Sequence, residues 1–134
     1  MNAPSFDMAE LLESSAAGLG FVAGTDLFVS AEPDAPDACV TLLDSPGFPP
    51  DTAVADYQKP GLNVRVRGVR GGYSTAYAVA ASVLNYLHTL HGEIVNGTRY
   101  VAIFASTDVI PLGLDENGRP VFSLNFNIHR TPTS

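Results

Sequence analysis

Phe122-Ser123-Leu124-Asn125-Phe126-Asn127-Ile128-His129 alternates apolar and polar residues at every position. Successive side chains of an extended chain point to opposite faces, so Phe122, Leu124, Phe126 and Ile128 share one face and Ser123, Asn125, Asn127 and His129 the other. Bulky apolar groups backed by an uncharged polar face are the pattern of an antiparallel sheet with one side covered. The strand is expected to begin at Arg119 or Val121 and to run to Arg130. A sheet of this kind needs a covering layer, and the remaining sequence supplies it.

Upstream, Tyr73, Tyr77, Ala80, Leu84, Leu87 and Leu90 recur at helical spacing and predict a long helix. Gly71-Gly72 breaks the chain before it, Ser74 or Thr75 can cap it, and Gly92 sits where it should stop. A second helix is predicted near the start, with Ser5 as its N-cap, Asp7 and Glu10 in its first turns, and Phe6, Ala9, Leu12 and Ala16 on one face. Gly18 and Gly20 end it.

The other strands follow from alternation and turns. Leu62, Val64 and Val66 alternate with Asn63, Arg65 and Arg67, a half-buried strand with a polar face. Asn96-Gly97 favours a tight hairpin between Glu93–Val95 and Arg99–Asp108, because both central residues must take positive φ. Asp115-Glu116-Asn117-Gly118 is a second turn, ahead of the final strand. Thr25–Val29 and Val40–Leu43 read as short strands joined by Glu32-Pro33-Asp34-Ala35-Pro36-Asp37, whose prolines make a stiff, exposed connection. Residues 44–61 carry Pro46, Gly47, Pro49, Pro50, Pro60 and Gly61 and read as a long loop, with Phe48 and Tyr57 inside it packing on something. The expected fold is α+β, an antiparallel or mixed sheet packed against two helices on one face, in one domain spanning residues 1–134.

Charge is sorted along the chain. The ten acids from Asp7 to Asp56 precede the first basic residue, Lys59, so that segment carries −10. The rest has four acids and seven bases, −4 + 7 = +3, and −10 + 3 gives the net charge of −7. Such a balance argues against a dedicated nucleic-acid binder, which needs a basic footprint, and suits a part that meets copies of itself through unlike patches. With 46% hydrophobic residues the chain is not mostly disordered. The longest apolar run, about Ala76 to Leu84, is too short to span a membrane, and no secretory signal is visible. One cysteine, Cys39, allows no intrachain disulfide and fits a reducing cytoplasm.

No enzymatic chemistry emerges. His88 and His91 stand three apart at a helix end, but a metal needs further ligands and only Glu93 is near in sequence. Cys39 leads into a hydrophobic strand, and His129 could approach it only through the fold. Gly68-Val69-Arg70-Gly71-Gly72 lies between strand and helix, where phosphate cradles occur, yet matches no nucleotide fingerprint. No catalytic, cofactor-binding or metal-binding residue is expected. Arg65, Arg67 and Arg70 either sit on a solvated face paired with acids of the front segment, meet the acidic surface of another copy, or form a sparse basic fringe facing DNA. The candidate contact residues are therefore Arg65, Arg67, Arg70, Arg119, Asp34, Asp37, Asp115, Glu116, Phe48 and Tyr57.

Several blocks occur in a telling order: Gly24-Thr25-Asp26-Leu27-Phe28, Val64-Arg65-Val66-Arg67-Gly68, a Tyr- and Ala-rich helix, and Gly97-Thr98-Arg99-Tyr100. Then come Pro111-Leu112-Gly113-Leu114-Asp115-Glu116-Asn117-Gly118-Arg119-Pro120 and Phe122-Ser123-Leu124-Asn125-Phe126-Asn127-Ile128. Over about residues 20 to 130 this resembles the minor capsid proteins that serve as tail terminators in long-tailed bacteriophages. The resemblance implies a small α+β subunit in a ring, usually of six copies, that caps the tail tube and docks the head connector. On that resemblance DNA would pass through the bore without specific binding. The protein would be a virion component of the tail or neck, assembled in the host cytoplasm, with no cofactor and no membrane partner. A head-side connector or stopper and a small-ligand-binding α+β domain are the alternative readings.

Overall fold

The computed structural model describes residues 1–14, 16–50 and 56–133. In chain order the elements are α1 (Pro4–Glu13), β1 (Leu27–Val29), β2 (Cys39–Phe48), β3 (Lys59–Arg67), α2 (Tyr73–His88), β4 (His91–Val95), β5 (Thr98–Ala105), β6 (Ile110–Leu114) and β7 (Pro120–Pro132). The strands form one sheet in the order β1-β2-β3-β7-β5-β4, with β6 also paired to β7. Only β1 and β2 run parallel, so the sheet is mixed and the fold is α+β.

β7, which contains the alternating stretch Phe122–His129, is the centre of this sheet. Along one edge β7 pairs with β3, Val64 opposite Leu124 and Val66 opposite Phe122. Along its other edge it pairs with β5 at its later residues and with β6 at its earlier ones. Phe122, Leu124, Phe126 and Ile128 are buried, as the alternation required, against Leu62, Val64, Val66 and Ile103. The Asn96-Gly97 hairpin also forms, with φ of 50° and 75° at its two central residues.

Both helices pack on this core with faces only partly those expected: Ala9, Leu12, Ala80 and Leu87 turn inward as read, while others do not. In α1 the buried side chains are Ser5, Met8, Ala9 and Leu12, with Asp7 beside them, while Phe6 is 60% exposed and Ala16 lies beyond the helix. Ser5 is not the cap. Pro4 occupies the first turn, where a missing N–H costs nothing, and Ala3 is the N-cap. In α2 the inward residues are Ala76, Ala80, Val83 and Leu87, and the cap is Gly72. Tyr73 and Tyr77 are pushed to the rim, where both rings meet Phe122 edge-on at 5.0 and 5.7 Å. Small residues let the helix approach the sheet closely: a Cβ on Gly68 would stand 2.6 Å from that of Ala76.

The long loop expected over residues 44–61 is much shorter. β2 continues to Phe48 and β3 begins at Lys59; residues 51–55 of that expectation lie outside the described residues. The register steps from Ser45 opposite Gly61 to Phe48 opposite Lys59, so Pro46 and Gly47 together oppose Pro60. A bulge of this kind excuses prolines from the ladder, which is how three loop-like residues sit inside a strand pair. Gly47 is needed there, since a Cβ would lie 2.1 Å from the Lys59 carbonyl oxygen. β6, with Pro111 and Gly113 and mostly exposed residues, had no strand signal in the sequence.

Candidate subunit-contact surface

Most of the candidate residues gather at one end of the sheet, where β3 ends and the β6–β7 turn begins. Arg67 and Arg119 are both nearly buried there. Arg67 donates its Nε to the Asp37 carbonyl at 2.8 Å and its Nη2 to the carbonyls of Pro33 and Pro36 at 2.6 and 2.8 Å. Its Nη1 stands 3.4 Å from the Glu32 carboxylate, which also receives the Arg65 Nε at 3.2 Å. The planar fork of arginine suits this role because it meets several fixed acceptors at once. The 32–37 connection is thus wrapped around Arg67 and ordered by it.

Arg119 holds the same connection from the other side. Its Nε meets Asp115 Oδ2 at 2.8 Å, its Nη1 meets Asp37 Oδ1 at 3.1 Å, and the same Nη1 donates to the Asp34 carbonyl at 2.7 Å. Asp115 also caps its own turn, accepting the backbone N–H groups of Asn117 at 3.0 Å and Arg119 at 2.9 Å. The backbone N–H of Arg119, then its guanidinium and the N–H of Asn117, hold the Asp115 carboxyl below the usual carboxylate range. Arg70 donates to the Asn117 carbonyl at 2.8 and 3.1 Å.

Of the expected contact residues, Asp34, Asp37, Arg70 and Arg119 therefore converge around one polar cleft, with Asp115 paired to Arg119 and with Arg65 and Arg67 beside it. Glu116 is exposed on the same turn. Phe48 and Tyr57 do not join them. Phe48 is 61% exposed at the far end of β2, and Tyr57 hydrogen-bonds His129 Nδ1 at 2.9 Å. The ion pairs among the described residues are those of Arg65, Arg67 and Arg119, each with acids of the front segment or with Asp115. The charge that is segregated along the sequence is partly neutralised in space.

The sequence reading passed over a set of exposed apolar residues. Leu112 and Leu114 on β6 and Ile94 on β4 stand on the two outer strands on the same side of β7, with Leu114 67% exposed. Leu112 and Leu114 were detectable as bulky residues in a stretch otherwise marked as loop by Pro111 and Gly113.

The catalytic alternatives find little support in geometry. Cys39 is buried beside Arg67, and burial raises its thiol pKa. Cys39 reaches β7 at Val121 by way of Arg67, whereas His129 lies eight residues further along that strand, about 27 Å away. His88 Nδ1 accepts the Ala105 N–H at 3.0 Å. Among the described residues no three His, Cys, Asp or Glu side chains are placed to hold a metal, and no helix is long and apolar enough to cross a membrane.

Comparison with known proteins gives two findings. A family model described as "Bacteriophage tail terminator protein" matches residues 16–132. A solved chain titled "Virion of native gene transfer agent (GTA) particle" superposes with a TM-score of 0.67 at 21% identity, covering 96% of this chain and 95% of that one. That likeness shows a shared fold. No curated protein matches.

Proposed function

The chain belongs to the bacteriophage tail terminator family, a family of structural phage proteins, and from that membership we propose that it works as a ring of identical subunits. The ring, six copies by the family pattern, caps the finished tail tube and offers its other side to the head connector. DNA threads the bore. Each copy, residues 1–134, acts as one domain, is assembled in the host cytoplasm and ends in the neck of the virion. No substrate is transformed. The likeness in fold to a chain from a gene transfer agent virion particle is consistent with this place.

The observation that best supports the ring is the outer-strand surface. Among the described residues β4 and β6 each have one edge with no strand beside it, and both carry exposed apolar side chains. A lone soluble subunit gains nothing from such edges, which invite pairing unless they are covered. A closed ring needs unlike patches that meet head to tail, and the opposite ends of β7 offer them. The net charge of −7 keeps duplex DNA from being gripped in the bore. Phe48, exposed at the β2–β3 end, is the aromatic best placed to reach a neighbour or the tube.

Native mass spectrometry and negative-stain microscopy test this directly, on the protein alone and with tail-tube protein. Closed rings, or rings formed on tube ends, are expected. A monomer under both conditions rejects the proposal.

A further inference from the structure

We infer that the ring contact joins Arg99, beside Ile94, on one copy to the acidic end of the next, at Asp34 of the 32–37 connection and Glu116 of the β6–β7 turn, beside Leu112 and Leu114. The inference rests on the ring proposed above and names the surfaces that close it.

Among the described residues Lys59 and Arg99 are the basic residues with neither an ion pair nor a side-chain hydrogen bond, and of the two only Arg99 is exposed, Lys59 being half-buried. Arg65, Arg67 and Arg119 are in ion pairs, Arg70 is on the Asn117 carbonyl, and Arg130 is on Gln58 and the Asn2 carbonyl. Arg99 is exposed, and among the described residues it is in none of the ion pairs. Its cross-strand neighbour on β4 is the exposed Ile94. Glu93, one position along β4, points to the other face of the pleat.

The complementary charges lie at the far end of the molecule. The Asp34 side chain is wholly exposed, and its nearest cation, Arg119, is 4.0 Å away and already committed to Asp115 and Asp37. Such a distant, solvated pair leaves most of the Asp34 charge available. Glu116 is exposed and in no ion pair among the described residues. Leu112 and Leu114 lead directly into that turn.

These two surfaces cannot meet within one chain. Arg99 is opposite Thr131 and Leu114 is opposite Pro120, so they are separated by eleven residues of β7, about 37 Å. Between copies they match in both respects, one free cation to two free anions and apolar side chain to apolar side chain. A contact between unlike ends of the same strand is heterologous, which is the type that closes a ring.

The test is a charge swap, in an assay where the wild-type protein assembles, alone or on tail-tube protein. Arg99→Glu and the pair Asp34→Lys/Glu116→Lys alter exposed residues, and circular dichroism checks that each variant stays folded. Each is expected to raise the concentration needed for assembly by about tenfold or more, and combining all three changes is expected to restore it. Folded Arg99→Glu protein assembling at the wild-type concentration overturns this contact and leaves the ring standing. Failure of the combined variant to recover overturns the pairing likewise. Wild-type protein that never assembles overturns both.

Discussion

The carboxylate of Asp44 on β2 receives both the backbone N–H of Ser5, at 3.0 Å, and its hydroxyl, at 2.8 Å. The first turn of α1 is therefore closed by a residue 39 positions away, because its own N-cap, Ala3, has no side-chain oxygen to offer. The same anion sits at the positive end of the helix.

Asp44→Ala is expected to lower unfolding free energy by about 1 kcal/mol, the usual cost of a lost cap. Ala3→Ser on that background supplies a local acceptor at a residue whose backbone is already extended, and should recover part of the loss. Urea denaturation of the two variants checks both.

Arg67 should be the most sensitive charged residue. Arg67→Met keeps the packing of the stem but strands three carbonyls and leaves the Glu32 carboxylate with Arg65 alone. A loss of about 2–4 kcal/mol is expected, as for a partner removed from a buried charged network. Limited proteolysis should show new cutting within residues 32–37. Arg67→Lys, with one nitrogen in place of the fork, should fall between the two.

Thr98→Val should be neutral or stabilising, by up to about 1 kcal/mol. Thr98 is fully buried and, among the described residues, its hydroxyl has no hydrogen-bond partner. Replacing it by a methyl group of similar shape removes a desolvation cost and leaves packing intact. Thermal unfolding would show a clear drop in midpoint if that account were wrong.

Acid should act on the β6–β7 turn through Asp115. Its folded pKa is depressed, so its contribution is complete above the unfolded value, about 3.9, and is lost as pH falls through the lower folded value. Wild-type protein should therefore be more stable than Asp115→Asn at pH 5 to 7, with the gap closing below about pH 4. A gap independent of pH would show that the ionised carboxylate is not the cause. Denaturation at stepped pH measures it.

Local pattern made part of this molecule legible. β7, the 96–97 hairpin and the inward side of β3 could be read because period-two alternation and positive-φ turn residues act over a few neighbours. The inward faces of the helices could not be read in full. Phe6 and Tyr73 have the hydropathy of core residues, but Met8, Ala76 and Val83 fit the space the sheet leaves. β6 and the ends of β2 and β3 escaped because Pro111, Pro46 and Pro60 are strand-compatible only beside a particular bulge or edge, which depends on the partner strand. At the proposed contact surface, Asp34, Asp37, Asp115 and Glu116 could be picked out by charge. That Arg65, Arg67 and Arg119 would be occupied at home, leaving Arg99 free, depends on side chains brought together from dozens of residues apart.

β7 holds the middle of the sheet, yet among the described elements it comes last in chain order. While a ribosome is still making it, β3 and β5 have no common neighbour and the apolar side of the sheet stays open. A nascent or prematurely stopped chain thus lacks the template that aligns both halves. A chain cut short before β7 is therefore expected to leave both halves of the sheet unaligned and their apolar side open to aggregation.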